Sequence, residues 1–333
     1  INSVTVGKGA NSVTQNTVLG ESALDAATTG GYNVAIGYEA LTTNTTGAQN
    51  TAVGRVALQL NTTGDNNTAV GRNALQANTT ADDNTAVGAD SLKLNTTGAS
   101  NTAVGRYALI NNTTASNNTA VGYNAMNANT TGASNTAVGS GALDANTTGT
   151  AACAFGKDAL GAHTTGDKNS AFGSNAAAAT TDGVKNSAFG AYALALNTTG
   201  DQNTAIGRSA LNNNTTADKN TAVGDAALGA NTTGTENVAV GALTLDANTT
   251  ADANTAVGYN AATALVTGGY NVALGHSALL ANATGVNNVA IGYQTLNNNA
   301  SPTANVAIGY RACKNNNSNY GVFIGDRAAS NGI

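Results

Sequence analysis

The chain has 333 residues, a formal net charge of −5, and only 9% charged and 4% aromatic residues. Forty glycines stand against one proline, two cysteines and no tryptophan. These figures exclude a collagen, a disulfide scaffold, a highly charged disordered chain and a coiled coil rich in Glu, Lys and Leu.

The chain opens with irregular coils over residues 1–20, where turn glycines fall at Gly7 and Gly20. From Gly20 to Gly309 the motif Asn-Thr-Ala-Val-Gly or a close variant returns every 17 residues, so residues 21–309 form regular coils. An irregular terminal coil covers 310–333, with its glycine at Gly325. One unit begins at Asn67-Thr68-Ala69-Val70-Gly71, continues through Arg72-Asn73-Ala74-Leu75-Gln76-Ala77, and closes on Asn78-Thr79-Thr80. A helix between Gly71 and Asn78 would have under two turns and is marginal alone. Two short strands and two turns fit instead. The spacing therefore predicts an all-β fold, a parallel β-solenoid (β-roll) of about 20 coils in one domain, 1–333.

Each row of the repeat carries an expectation. The residue before the glycine is apolar, and the one two places earlier is Thr, Val, Ser or Cys. Side chains alternate along a strand, so these two share a face. They are assigned to the coil core as Val53, Val70, Val87 and Val104, with Leu58, Leu75 and Leu92 from the second strand. The Ala between them lies on the other face. It never becomes Lys, Ser, Thr or Gln from Ala35 to Ala307, which suggests close approach of a second surface. Ala52, Ala69, Ala86, Ala103, Ala120, Ala137, Ala205 and Ala222 are thus expected to line an oligomer interface. Asn50, Asn67, Asn84 and Asn101 open the strands and are expected to stack as an amide ladder.

The second turn, Asn-Thr-Thr, begins at Asn44, Asn61, Asn78 and Asn95 and is formally a glycosylation sequon. Its first reading is a turn whose amides and hydroxyls cap neighbouring backbone. Adjacent Thr79 and Thr80 point to opposite faces, which argues against ice binding.

No catalytic, cofactor or metal site is expected. His163 and His276 are the only histidines and lie many coils apart. Cys153 and Cys313 sit in apolar rows, also far apart, and read as small hydrophobes. No phosphate-binding loop opens a helix. Charges such as Arg55, Arg72, Asp65 and Asp82 read as solubility and pairing between coils. The acidic balance offers no basic stripe to nucleic acid, and no apolar run reaches membrane-spanning length. With Ile1 inside a repeat and no leader before it, the sequence reads as mature or as a piece of something longer.

Asn271-Val272-Ala273-Leu274-Gly275 and Asn288-Val289-Ala290-Ile291-Gly292 resemble the head repeats of YadA-like trimeric autotransporter adhesins. The long Asn-Thr-Ala-Val-Gly array is also similar to those of phage tail fibres. The resemblance implies a left-handed, trimeric β-roll with strands packed around the axis. It implies an extracellular structural or adhesive fibre, on a cell surface or a virion, that attaches to a cell-surface or glycan receptor. A self-polymerising filament, with end-to-end contacts between copies, is the alternative. A glycan-binding or ice-binding module ranks third.

Overall fold

The computed structural model describes residues 5–298, 300–315 and 319–330. The chain divides into two compact units, Ile1–Asp167 and Lys168–Ile333. Both are parallel β-solenoids with the same 17-residue repeat, and no helix occurs among the described residues.

The first unit contains β1 (Thr5–Gly7), β2 (Thr17–Gly20), β3 (Val34–Ile36), β4 (Thr51–Val53), β5 (Thr68–Val70), β6 (Thr85–Val87), β7 (Thr102–Val104), β8 (Thr119–Val121), β9 (Thr136–Val138) and β10 (Cys153–Phe155). From β2 to β10 each strand pairs in parallel with the next, in strict register: Thr51 lies beside Thr68, Ala52 beside Ala69, Val53 beside Val70. Only β1 departs. It runs antiparallel to β2, with Thr5 beside Gly20, so the 13-residue step between Gly7 and Gly20 makes a hairpin-like return and no coil.

The second unit contains β11 (Ser170–Phe172), β12 (Ser187–Phe189), β13 (Thr204–Ile206), β14 (Thr221–Val223), β15 (Val238–Val240), β16 (Thr255–Val257), β17 (Val272–Leu274), β18 (Val289–Ile291), β19 (Val306–Ile308) and β20 (Val322–Ile324). All nine successive pairs are parallel. The 16-residue step to the last strand is absorbed in its loop, because Ala307 still pairs with Phe323.

Each rung has one strand, three residues long except in β2, and among the described residues the expected second strand is absent. After the glycine the chain makes turns in which the second and fourth residues are left-handed: Asn73 has φ 59° and Leu75 has φ 50°. A left-handed Leu costs about 1–2 kcal/mol. Full burial of its side chain contributes about 1.5–3 kcal/mol in the other direction, and Leu58, Leu75 and Leu92 are all fully buried. The turn also aims each Leu N–H along the stack. Leu58 donates to the Ala74 carbonyl at 3.0 Å and Leu75 to the Ser91 carbonyl at 3.1 Å. Gly71 is required for two reasons: its φ is +138°, and a Cβ there would sit 2.5 Å from the Gly88 carbonyl oxygen.

The strand faces are reversed relative to the sequence expectation. Ala52, Ala69, Ala86, Ala103, Ala120, Ala137, Ala205 and Ala222 are 0% exposed within a single chain. They point into their own coil and cannot line an oligomer interface. Val53 is half-buried, and Val70, Val87 and Val104 are exposed at 36–37%; the Val row lies outside the core. Alternation dictates which residues share a face, but not which face is inward. The width of the coil decides that. Leu, a second Ala (Ala57, Ala74, Ala108) and two Asn rows already fill the interior, and only a methyl group fits at the strand centre.

Candidate functional site

The outward sheet face is built from the first and third residues of every strand. In the first unit Thr51, Thr68, Thr85, Thr102, Thr119 and Thr136 form one row and Val53, Val70, Val87, Val104, Val121 and Val138 the other. In-register pairing sets neighbours in each row about 4.8 Å apart. In the second unit the rows turn more apolar, with Phe189 39%, Ile206 42% and Leu274 45% exposed. Phe172 and Phe189 stack with centroids 4.8 Å apart. None of the twenty strands carries a charged residue. Charges sit in the turns beside the face, many of them paired. Arg72 meets Asp90 at 2.6 Å, Arg208 meets Asp225 at 2.8 Å, and Lys219 meets Glu236 at 3.6 Å. Acids at the other turn accept backbone N–H groups from the preceding rung, as Asp65 Oδ1 does from Ala48 at 2.7 Å.

Two Asn rows run through the interior. In the row that opens the strands, Asn50 Oδ1 accepts the Asn67 backbone N–H at 2.9 Å and Asn67 Oδ1 accepts that of Asn84 at 3.0 Å. The amide groups of Asn50, Asn67, Asn84 and Asn101 donate to carbonyls of the following turn at 2.8–3.0 Å. The turn row is a side-chain ladder. Asn61 donates to Asn44 Oδ1 at 2.9 Å, Asn78 to Asn61 at 2.9 Å, and Asn95 to Asn78 at 3.1 Å. These four sequon asparagines are 0% exposed. Their amide nitrogens are committed within the fold, so the native chain offers no acceptor for a glycan at Asn44, Asn61, Asn78 or Asn95. The sequon spelling is a consequence of the turn.

His163 takes an Asn place in this ladder. It is fully buried, with Nδ1 3.0 Å from Asn146 Oδ1. Because that oxygen can only accept, Nδ1 carries the proton. His276 lies in the other unit, on the outer surface. Cys153 belongs to the outward Thr row and is half-buried, whereas Cys313 takes a Leu place and is fully buried. Burial raises both thiols, Cys313 to about 11. Both are free. No cluster of three or more His, Cys, Asp or Glu side chains suited to a metal occurs among the described residues.

One surface feature was missed from sequence. Positions just after the repeat glycine in the second unit read Tyr259, His276, Tyr293 and Tyr310, and their rings stack at centroid distances of 5.3, 5.3 and 5.4 Å. Arg311 and Arg327 lie over the last rings. Their 17-residue spacing was visible, but in other coils the position varies among Arg, Ala, Ser, Glu, Lys and Asp, with Tyr only at Tyr38 and Tyr123.

No family model matches the chain, and comparison with curated proteins finds no match.

Proposed function

We propose that this chain is a structural and adhesive module of an extracellular fibre, self-associating through its outward Thr-x-Val face. It works without catalysis, through repeated surfaces rather than one reacting centre. The observation that carries this reading is the face itself. It is uncharged along every strand, partly apolar, and regular over each unit, while the flanking turns carry the charges. Extended apolar surface rimmed by polar groups marks an interaction site. Identical rows in register also let one copy meet another at many equivalent points, which favours avidity over single strong contacts. A closed trimer on a cell surface or virion, as the resemblance implies, is the first form of this assembly; an open filament is the second. Sedimentation of the pure chain tests it: a discrete oligomer supports the trimer, open-ended lengths support the filament, and a single-chain species contradicts both. Attachment of the assembled particle to cells or immobilised glycans tests the adhesive part.

The Thr row favours a second reading. Thr51, Thr68, Thr85 and Thr102 share one face with the Val row, so the argument against ice binding, drawn from Thr79 and Thr80, does not apply here. A two-dimensional array of hydroxyl and methyl groups could order water on an ice surface. Thermal hysteresis that disappears in Thr85→Lys and Thr102→Lys variants would favour this reading over self-association.

A further inference from the structure

Register brings equivalent side chains on successive rungs about 5 Å apart. Some stacked cations meet an acid on the next rung, as Arg72 meets Asp90 and Arg208 meets Asp225, whereas Lys168 and Lys185 follow one another in the same place. The last rungs gather three cations in one cavity. Arg311 and Arg327 stand two residues after Gly309 and Gly325, in the same place of successive rungs. Their guanidinium carbons lie 5.0 and 5.6 Å from the centroid of the one Tyr310 ring. Lys314 joins them in the wall of a cavity of about 330 Å³, completed by Asn315 and Ser330. Among the described residues no carboxylate lines this cavity. The ion pairs found among the described residues involve none of these three cations. Arg311 Nε does donate to Gln294 Oε1 at 3.1 Å, which orients the side chain without neutralising it.

Three cations gathered with no acid among the described lining residues, Asp326 lying outside that lining, leave a charge that a ligand can answer. We propose that this cavity binds an anionic saccharide, with its sulfate or carboxylate group held by Arg311, Arg327 and Lys314. Guanidinium groups match planar and tetrahedral oxyanions through paired N–H donors. Asn315 and Ser330 can exchange hydrogen bonds with sugar hydroxyls. The cavity falls at the small end of the range for ligand sites, the size for one or two sugar rings. Its polar lining disfavours a lipid tail. The choice of a sugar as carrier of the oxyanion rests on the adhesive reading above; the oxyanion site itself rests on the cations alone.

The test is calorimetric titration of the intact chain with a sulfated disaccharide, a uronate disaccharide, their neutral parent, and sodium sulfate. Both acidic sugars should bind at one site per chain, at least about tenfold tighter than the neutral parent, and more weakly as salt rises. The double variant Arg311→Gln, Arg327→Gln should lose that preference while its circular dichroism and oligomer mass stay native. Equal binding of the neutral parent, no binding of the acidic sugars, or unchanged affinity in the double variant overturns the proposal. Sodium sulfate binding as tightly as the sulfated sugar overturns the saccharide assignment. An assembled chain that binds no acidic sugar removes this site and leaves the fibre; a monomer that binds one does the reverse.

Discussion

Thr180 stands in the rung before Asn197, and its buried hydroxyl has no hydrogen-bond partner. In most other rungs that place is Asn, and its Oδ1 accepts the next side-chain amide, as Asn197 does for Asn214 at 2.9 Å. Asn197 itself donates to the Gly200 carbonyl at 3.0 Å. Thr180→Asn supplies the acceptor and removes the orphaned hydroxyl. It should stabilise the second unit by about 1 kcal/mol, read as a higher urea midpoint with an unchanged slope. Asn282 shows the same logic: its Nδ2 is unpartnered, and the rung before it holds Leu265.

Breaking the ladder should cost more than extending it gains. Asn78→Ala deprives Asn95 of an acceptor and leaves Asn61 Oδ1 and the Ala81 carbonyl without this donor. Each orphaned buried group costs about 1–3 kcal/mol. Chemical denaturation should show a loss of that size, against little change for the exposed Thr80→Ala. A neutral Asn78→Ala would contradict the ladder's role.

The same burial predicts the absence of glycans on folded protein. Secreted from a glycosylating host, the native chain should carry none at Asn44, Asn61, Asn78 or Asn95. Intact-mass measurement before and after glycosidase treatment checks this; a glycan-bearing chain with native circular dichroism contradicts the buried assignment.

Thiol chemistry separates the two cysteines. Burial raises Cys313 to about 11 and also raises Cys153, which remains half-buried in the outward row. The thiolate is the reactive form, so raised values slow labelling at pH 8 and labelling speeds up as pH rises. Native protein at pH 8 should label slowly at Cys153 and hardly at Cys313, and both should react after unfolding. Fast native labelling of Cys313 would contradict its place inside the coil.

Periodicity carried much of this fold. The 17-residue step, the turn glycines and the Leu row were legible because each is a repeated steric requirement. The inward direction of the strand was not. Ala69 and Val70 satisfy alternation either way, and only the width set by Leu75, Ala74 and the Asn rows sends the methyl inward. The left-handed turns were hidden too, since Leu is a poor residue for that conformation and its burial overrides the local preference. The pairing of Arg311 with Arg327 escaped notice because the 16-residue last step takes Arg327 off the 17-residue count that Arg311 still keeps.

The reversal moves the proposed site of assembly from Ala to Val, and two substitutions read it out differently. Ala137→Asp puts a carboxylate inside the coil and should unfold the first unit. Val87→Lys, Val104→Lys and Val121→Lys together alter only the outer face. Sedimentation equilibrium of this triple variant beside the native chain is the most direct measurement. The account predicts a native oligomer of discrete mass and a triple variant at single-chain mass with unchanged circular dichroism. A native chain already at single-chain mass, or a triple variant that keeps the native mass, would contradict it.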